Sequence, residues 1–256
     1  MTASNKRLGA ALMILSAFSF SAMKIAIRLA SERIPQMEQI CCRNFIALLV
    51  VMAMLRKQGL PLFGTREQQP LLCVRSSIGF VGLLMIFTAT KYGTQADVSI
   101  LSKMSPFFVT LLAAVFLHER IGRAQIPALV LAFLGALFVA NPKLNSDSFP
   151  LIMAGLSSVI VGITYVIVSY LGGQVHPLTM VMHFSTFCAL ASLPFMLAHF
   201  VMPTPYEAAM LLLIGVFGLL GQVLVTYAYQ VAPAAEVSIY DYTGILFSMV
   251  LASWIL

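Results

Sequence analysis

Ala96-Asp97-Val98-Ser99-Ile100 returns 139 residues later as Ala235-Glu236-Val237-Ser238-Ile239, with four identities and one exchange of acid for acid. The match runs without a gap from Gly79–Leu117 onto Gly218–Leu256, through Gly79/Gly218, Gly82/Gly221, Ala89/Ala228, Phe108/Phe247, Leu112/Leu251 and Ala113/Ala252. Apolar segments match one another easily, so the weight rests on the acid-containing pentapeptide and the paired glycines. The chain reads as a duplication.

The surroundings of that repeat are apolar. Of 256 residues 60% are apolar and 9% charged, with a mean hydropathy of +0.96; a soluble domain is about half apolar and about a quarter charged. A sphere of this size cannot hide so much apolar surface. Soluble enzymes, nucleic-acid binders and secreted disulfide scaffolds are therefore excluded as readings of the whole chain. The net charge of +6 does not mark a nucleic-acid surface, because all 15 Lys and Arg precede Leu144 and stand singly or in pairs between apolar runs, as membrane loop charges do. Cys41, Cys42, Cys73 and Cys188 lie in apolar stretches without a C-x-x-C pair and read as small core residues.

Apolar runs bounded by charge, Pro or Gly cover Leu8–Arg28, Ile34–Leu55, Gln69–Thr90, Val98–Leu117, Ile126–Ala140, Pro150–Leu171, Pro177–Phe200, Tyr206–Gln230 and Ala234–Leu256. Most are about twice the length of a membrane strand and lack two-residue alternation, so they are helices. The expected fold is an all-α polytopic membrane protein with about nine transmembrane helices. The first run, behind Lys6 and Arg7, continues to Ala26 and reads as an uncleaved span rather than a signal peptide. With the N-terminus cytoplasmic, Lys6, Arg7, Arg56, Lys57, Arg66, Arg120 and Arg123 fall inside, against Arg28, Arg33, Lys91 and Lys143 outside. That bias favours this orientation, and the membrane expected is a bacterial inner membrane. The duplication divides the chain into residues 1–143, with five spans, and 144–256, with four. An odd number of helices per copy inverts the second copy, the plan of many secondary carriers, whose substrate site lies near the midplane between halves. Leu117 pairs with Leu256, so a counterpart of the fifth span would lie beyond the last residue, and the chain is expected to lack its tenth helix.

The stretch Ala17–Lys24 opens the first span, Arg43-Asn44-Phe45 lies in the second and Arg75-Ser76-Ser77-Ile78-Gly79-Phe80 in the third. Ala96–Leu101, Ser105-Pro106-Phe107 and Leu117-His118-Glu119-Arg120 follow. On these residues the whole chain resembles a ten-helix carrier of the drug/metabolite transporter superfamily, EamA type, cut short. The resemblance implies transport of a small organic metabolite without specifying which one.

An ionisable group at membrane depth costs a few kcal/mol or more and so faces a wet cavity or a partner. The candidates are Lys24, Arg43, Arg75 and Lys103 in the first copy, and Asp241 and His183 in the second, with Glu38 near a helix end and Glu236 at an entrance. The offset pairs Ser102 with Asp241 and Lys103 with Tyr242, which places a cation and an anion near one cavity. Lys103 and Arg75 are expected to hold an anionic or zwitterionic group, and Asp241 a cationic group or a coupling proton. The competing reading is snorkelling to the interface or structural pairing. Tyr165, Tyr240 and Tyr242 read as pocket-lining, and Tyr227 and Tyr229 as an interfacial belt. Gly215, Gly218 and Gly221, with Gly79 and Gly82, are expected to let helices approach closely. Pro106 is expected to kink the fourth span. Ile245 stands at the matched position, so the hinge is expected in one copy only.

No Walker loop occurs, which leaves a proton or ion gradient, or exchange, as the energy source. His118-Glu119-Arg120-Ile121-Gly122 has Gly where an H-E-x-x-H zinc protease needs its second ligand, and no G-x-S-x-G elbow occurs. No catalytic residue, metal or cofactor is expected. The expected partners are a small-molecule substrate and the lipid bilayer, not nucleic acid, and a homodimer is compatible with the chain. The alternative is a non-transporting membrane scaffold, should the missing tenth helix abolish flux.

Overall fold

The computed structural model describes residues 3–30, 33–93, 95–140 and 147–255. Lys143, the boundary between residues 143 and 144, and Leu256 lie outside the described residues, as do the side chains of Lys91, Ala96, Ser99 and Ala252. Among the described residues the regular elements are helical: α1 (Ala3–Ala30), α2 (Gln36–Lys57), α3 (Gln69–Tyr92), α4 (Gln95–Ser102), α5 (Ser105–Phe116), α6 (Gln125–Ala140), α7 (Ser148–Tyr170), α8 (Pro177–Ala198), α9 (Pro205–Val231), α10 (Ala234–Val237), a 3₁₀ segment (Ser238–Tyr242) and α11 (Thr243–Ile255). Of these α1, α2, α3, α7, α8 and α9 are each long and apolar enough to cross a bilayer. Proline in the first turn starts α3, α5, α8 and α9, where its preset φ fits and its missing N–H costs nothing. A reciprocal Thr204–Glu207 capping box adds to the start of α9.

The burial pattern is that of a protein solvated by lipid. Trp254, Phe138 and Leu131 stand on the outside, 87%, 82% and 73% exposed, while Ser16, Ser76, Ser157, Ser192 and Thr226 are buried. With no water at that depth, small hydroxyls return their hydrogen bonds to the main chain. Ser16 Oγ donates to the Gly221 carbonyl at 2.8 Å and Ser21 Oγ to the Gly244 carbonyl at 2.9 Å, fastening α1 to α9 and α11.

Glycines permit this closeness. A Cβ on Gly221 would lie 2.8 Å from the Phe20 ring, and one on Gly82 2.7 Å from Ile160 Cγ2. These matched glycines therefore seat α1 on α9 and α7 on α3. Further packing joins α2 to α8 and α9, α3 to α8, α1 to α11, and α7 to α4 and α5, with α6 against α4 and the 3₁₀ segment.

Polar contacts identify the two ends of the bundle. At one end Lys6 pairs with Glu236 at 2.5 Å and Thr179 Oγ1 donates to the Pro61 carbonyl. At the other Arg33 pairs with Glu207 at 3.5 Å, Val201 N donates to Glu38, and Gln36 donates to the Phe87 carbonyl. Pro150, early in α7, lies against Gly93 at this second end, opposite the end where α1 begins.

The sequence Leu117-His118-Glu119 has a local explanation. His118 takes φ 53°, closing α5 with Glu119 N bonded back to the Ala113 carbonyl, a left-handed cap that usually takes Gly. The turn sends the Glu119 carboxylate to the amides of Ala234 and Ala235 at 3.0 and 2.9 Å. One carboxylate thus closes the end of α5 onto the start of α10.

Two predictions follow from this packing, both read by thermal unfolding of the purified protein. Gly82→Ala and Gly221→Ala should each cost about 1–3 kcal/mol by overpacking. Gly155→Ala, with no atom within 4 Å of the added methyl, should be neutral or stabilising by about 0.5–1 kcal/mol. Glu119→Ala, which orphans two amides, should cost about 1–3 kcal/mol, whereas His118→Gly should be tolerated because the left-handed turn suits glycine.

Candidate functional site

Two of the helical runs are interrupted, and they are the two that the repeat matches. Between α4 and α5 the chain tightens to i→i+3 bonds, with Lys103 N to the Ile100 carbonyl and Met104 N to the Leu101 carbonyl, both 3.1 Å. In the second copy the interruption is the 3₁₀ segment Ser238–Tyr242. Pro106 does not kink a continuous helix; it stands in the first turn of α5, just past the break. A helix break is present in both runs, where the expectation from Pro106 and Ile245 was a kink in one, because a 3₁₀ turn needs no proline.

The breaks brace one another. Lys103 Nζ donates to Asp241 Oδ2 at 2.7 Å and to the Asp241 main-chain carbonyl at 3.0 Å. Tyr242 OH returns a bond of 2.8 Å to the Lys103 carbonyl. The ion pair is partly open, with side-chain exposures of 12% and 29%. Thr110 and Ser238 hydroxyls meet alongside at 3.3 Å.

Other candidates gather nearby. Lys24, on α1, is exposed and lies within electrostatic range of Lys103 and Asp241. Arg43 on α2 and Arg75 on α3 are buried and lie within electrostatic range of the Tyr165 hydroxyl, which also senses Asp241. Among the described residues neither guanidinium takes part in an ion pair. Arg75 Nε and Nη1 are sealed from solvent without a hydrogen-bond partner. Its compensation is the Phe184 ring, 4.3 Å from Cζ. A desolvated cation–π contact supplies about 2 kcal/mol, while burying an ion costs several, so Arg75 is left short of a partner.

The remaining candidates divide. Tyr240 is exposed and its hydroxyl joins none of these contacts. His183 Nδ1 meets Ser76 Oγ at 2.8 Å and Nε2 meets Cys73 Sγ at 3.7 Å, a separate cluster between α3 and α8. Cys73 is exposed, not a core residue. Tyr229 is no belt residue: it is buried and stacked on Tyr165 at 4.6 Å between centroids. Tyr227 is half-buried and meets His176 in a T-shaped contact, 6.1 Å between ring centroids. Phe184 and Tyr229 escaped sequence reading because apolar and aromatic residues are too common in spans to signal a site. An apolar cleft of about 460 Å³, lined by Leu71, Leu112, Phe116, Ile163 and Tyr170, opens elsewhere on the flank and contains none of the charged groups.

Removing one partner of the brace leaves the other uncompensated, so the losses from the two partners should not add. Lys103→Met and Asp241→Asn are each expected to cost about 1–3 kcal/mol, below the fully buried range because the pair is partly open, and the double variant less than their sum. Thermal unfolding of the four proteins of the cycle measures it.

Comparison with known proteins agrees with this architecture. The EamA-like transporter family is matched over residues 7–141 and again over 148–256. The pseudopaline exporter CntI of Pseudomonas aeruginosa is 36% identical over 248 residues, covering 96% of this chain and 86% of the relative. An uncharacterized transporter of Helicobacter pylori is 23% identical over 250 residues, 94% of this chain and 84% of its own. A crystal structure aligns with a TM-score of 0.82 at 16% identity, covering 96% of this chain and 87% of the other, a likeness of fold alone. Two family matches in succession and a full-length relative make this chain a multi-pass membrane protein of the EamA-like transporter family, in the drug/metabolite transporter superfamily.

Proposed function

We propose that the protein is a secondary carrier that moves a small organic metabolite with an anionic or zwitterionic group by alternating access. The observation that carries this reading is the Lys103–Asp241 brace between two interrupted helices, together with a buried Arg75 guanidinium whose Nε and Nη1 have no hydrogen-bond partner. A relative named as a pseudopaline exporter, and another in Rhizobium johnstonii named as a riboflavin transporter, 31% identical over 152 residues, support a small organic solute.

In this reading α4 with α5, and α10 with the 3₁₀ segment and α11, are each one interrupted span, giving nine. Residues 1–143 and 144–256 are two copies of opposite orientation. The packing supports it: α1 on α9 corresponds to α7 on α3, and α1 on α11 corresponds to α7 on α4 and α5, while α2 and α8 face each other across the axis. The N-terminus is cytoplasmic, by the bias of loop cations, in a bacterial inner membrane.

Arg75 and Arg43 hold the anionic group of the solute, with Lys103, Tyr165 and Tyr242 completing the pocket and Lys24 at its edge. Asp241 is the coupling group. Protonating its carboxylate removes the attraction that holds Lys103, which frees the two breaks to separate and expose the site to the other side. The solute's own charge replaces the lost anion during the move. His183, with Ser76 and Cys73, lies off this route and serves packing between α3 and α8.

The test is flux from proteoliposomes loaded with a mixed metabolite extract, read by mass spectrometry with and without a pH gradient. One class of solute should move, accelerated by the gradient. Asp241→Asn and Lys103→Ala should each lower that flux by about tenfold or more, equivalent to about 1.4 kcal/mol in the barrier, with the response to the gradient abolished in Asp241→Asn. Unchanged flux in both folded variants would sink the coupling assignment.

A further inference from the structure

We infer that the cleft on the flank of the bundle is a binding site for one anionic phospholipid, with an acyl chain in the cleft and the phosphate at Arg120 and Arg123. This site is separate from the Lys103–Asp241 junction and does not depend on the carrier reading. α7 packs against both α3 and α5, and the cleft is the gap those two leave over it. Its volume is about 460 Å³, and its walls include Leu71, Leu112, Phe116, Leu117, Ile163 and Tyr170. Leu71 is the third residue of α3, and Phe116 and Tyr170 are the last of α5 and α7. From Tyr170 back to Ile163 the helix advances about 10 Å. The cleft therefore opens at the level of the helix ends and runs inward along the flank.

Such a cleft in a membrane protein does not stay empty. A void forfeits the dispersion contacts of its walls, and water does not settle where it finds no polar partner. Phe116 and Tyr170 are exposed on the outside of the bundle, so what meets the opening is lipid. A methylene is close in size to a water molecule, which occupies about 30 Å³, so the cleft has room for about 15 such groups in a row, the length of one acyl chain. Tyr170, at the end of its helix, stands where an interfacial aromatic does, with its ring in the apolar wall.

The rim supplies charge. The chain leaves the cleft at Leu117, turns at His118 and is tied down by Glu119 on the amides of Ala234 and Ala235. Before α6 begins, Gly122 N donates to Gln125 Oε1 at 2.7 Å. Arg120 and Arg123 stand in this anchored loop, both exposed, and among the described residues neither takes part in an ion pair. Three residues of chain reach at most about 11 Å, so Arg120 stays close to the Leu117 wall. The acids of this end are committed elsewhere: Glu119 to the two amides, Glu236 to Lys6, while Glu67 follows Arg66 in the loop before α3. Two unpaired guanidiniums at headgroup level beside an apolar cleft favour a phosphate that carries net negative charge. The chain in the cleft fills the gap between α3 and α5. Because α5 leads out of the break at Lys103, the lipid steadies one arm of the junction.

The experiment uses the purified full chain in detergent, with dioleoyl phosphatidylglycerol, dioleoyl phosphatidylcholine, glycerol phosphate and inorganic phosphate as probes. Native mass spectrometry counts the lipid retained, and thermal midpoints report binding. Phosphatidylglycerol should be retained at one per chain and raise the midpoint by about 3–6 °C at saturation, with phosphatidylcholine at least threefold less effective. The two phosphates without acyl chains should leave the midpoint unmoved. Arg120→Gln with Arg123→Gln, both at exposed positions, should weaken phosphatidylglycerol about tenfold and bring it to the level of phosphatidylcholine. Ile163→Trp, which fills the cleft, should abolish retention of both lipids, and its midpoint without lipid reads whether it folds. Equal retention of the two lipids by the unaltered chain, an unchanged preference in the double arginine variant, or phosphatidylglycerol retained by folded Ile163→Trp would each overturn the assignment. So would stabilisation by the acyl-free phosphates, which marks an ion site, or a lipid-free dimer, which marks an interface between copies.

Discussion

A helix interrupted inside a bilayer frees peptide groups that lipid cannot satisfy, and each such group costs several kcal/mol if left alone. This protein interrupts two helices at matched positions and lets each supply what the other lacks: Lys103 reaches the Asp241 carboxylate and carbonyl, and Tyr242 reaches the Lys103 carbonyl. The same contacts hold a charged pair. The breaks need the pair for their hydrogen bonds, and the pair needs the breaks for its geometry. Any movement that separates the two helices must disturb both together.

The remainder of the bundle holds that junction in place. Glycines bring α1 to α9 and α7 to α3 so closely that Phe20 and Ile160 lie against bare backbone. Serine and threonine hydroxyls bond to carbonyls of their own or neighbouring helices, as with Ser16 on Gly221 and Ser21 on Gly244. At one end the Glu119 carboxylate and the Lys6–Glu236 pair draw α5, α10 and α1 together; at the other Glu38 and Arg33 fasten α2 and the start of α2's loop to the α8–α9 loop and α9. Rigid helical contacts around polar ends leave the charged middle as the place where partners are missing.

Much of this was legible beforehand. Helix positions could be read from runs bounded by charge and proline, because lipid demands about 20 apolar residues per crossing. The meeting of Lys103 with Asp241 could be read from the repeat offset, which pairs Lys103 with Tyr242, the neighbour of Asp241. The hinge was misjudged, because proline is a visible helix breaker whereas a 3₁₀ turn over Ser238–Tyr242 depends on a hydrogen bond from the other half. Tyr229 was misjudged for a related reason: an aromatic near a span end looks alike whether it faces headgroups or stacks on Tyr165. Cys73 looked like core because its neighbours are apolar, yet its face of α3 is open.

By itself the sequence determined the helices, the internal repeat, the excess of cations in the first half and the family, because each is a property of composition, period or self-similarity along one chain. The tertiary structure alone decided which of those charges are neutralised. Arg75 and Asp241 stand 166 residues apart, and nothing local to either says that one finds a lysine at 2.7 Å while the other finds only the face of Phe184. Electrostatic compensation depends on distance in space and on the local dielectric, and both are set by how helices pack rather than by what precedes or follows a residue.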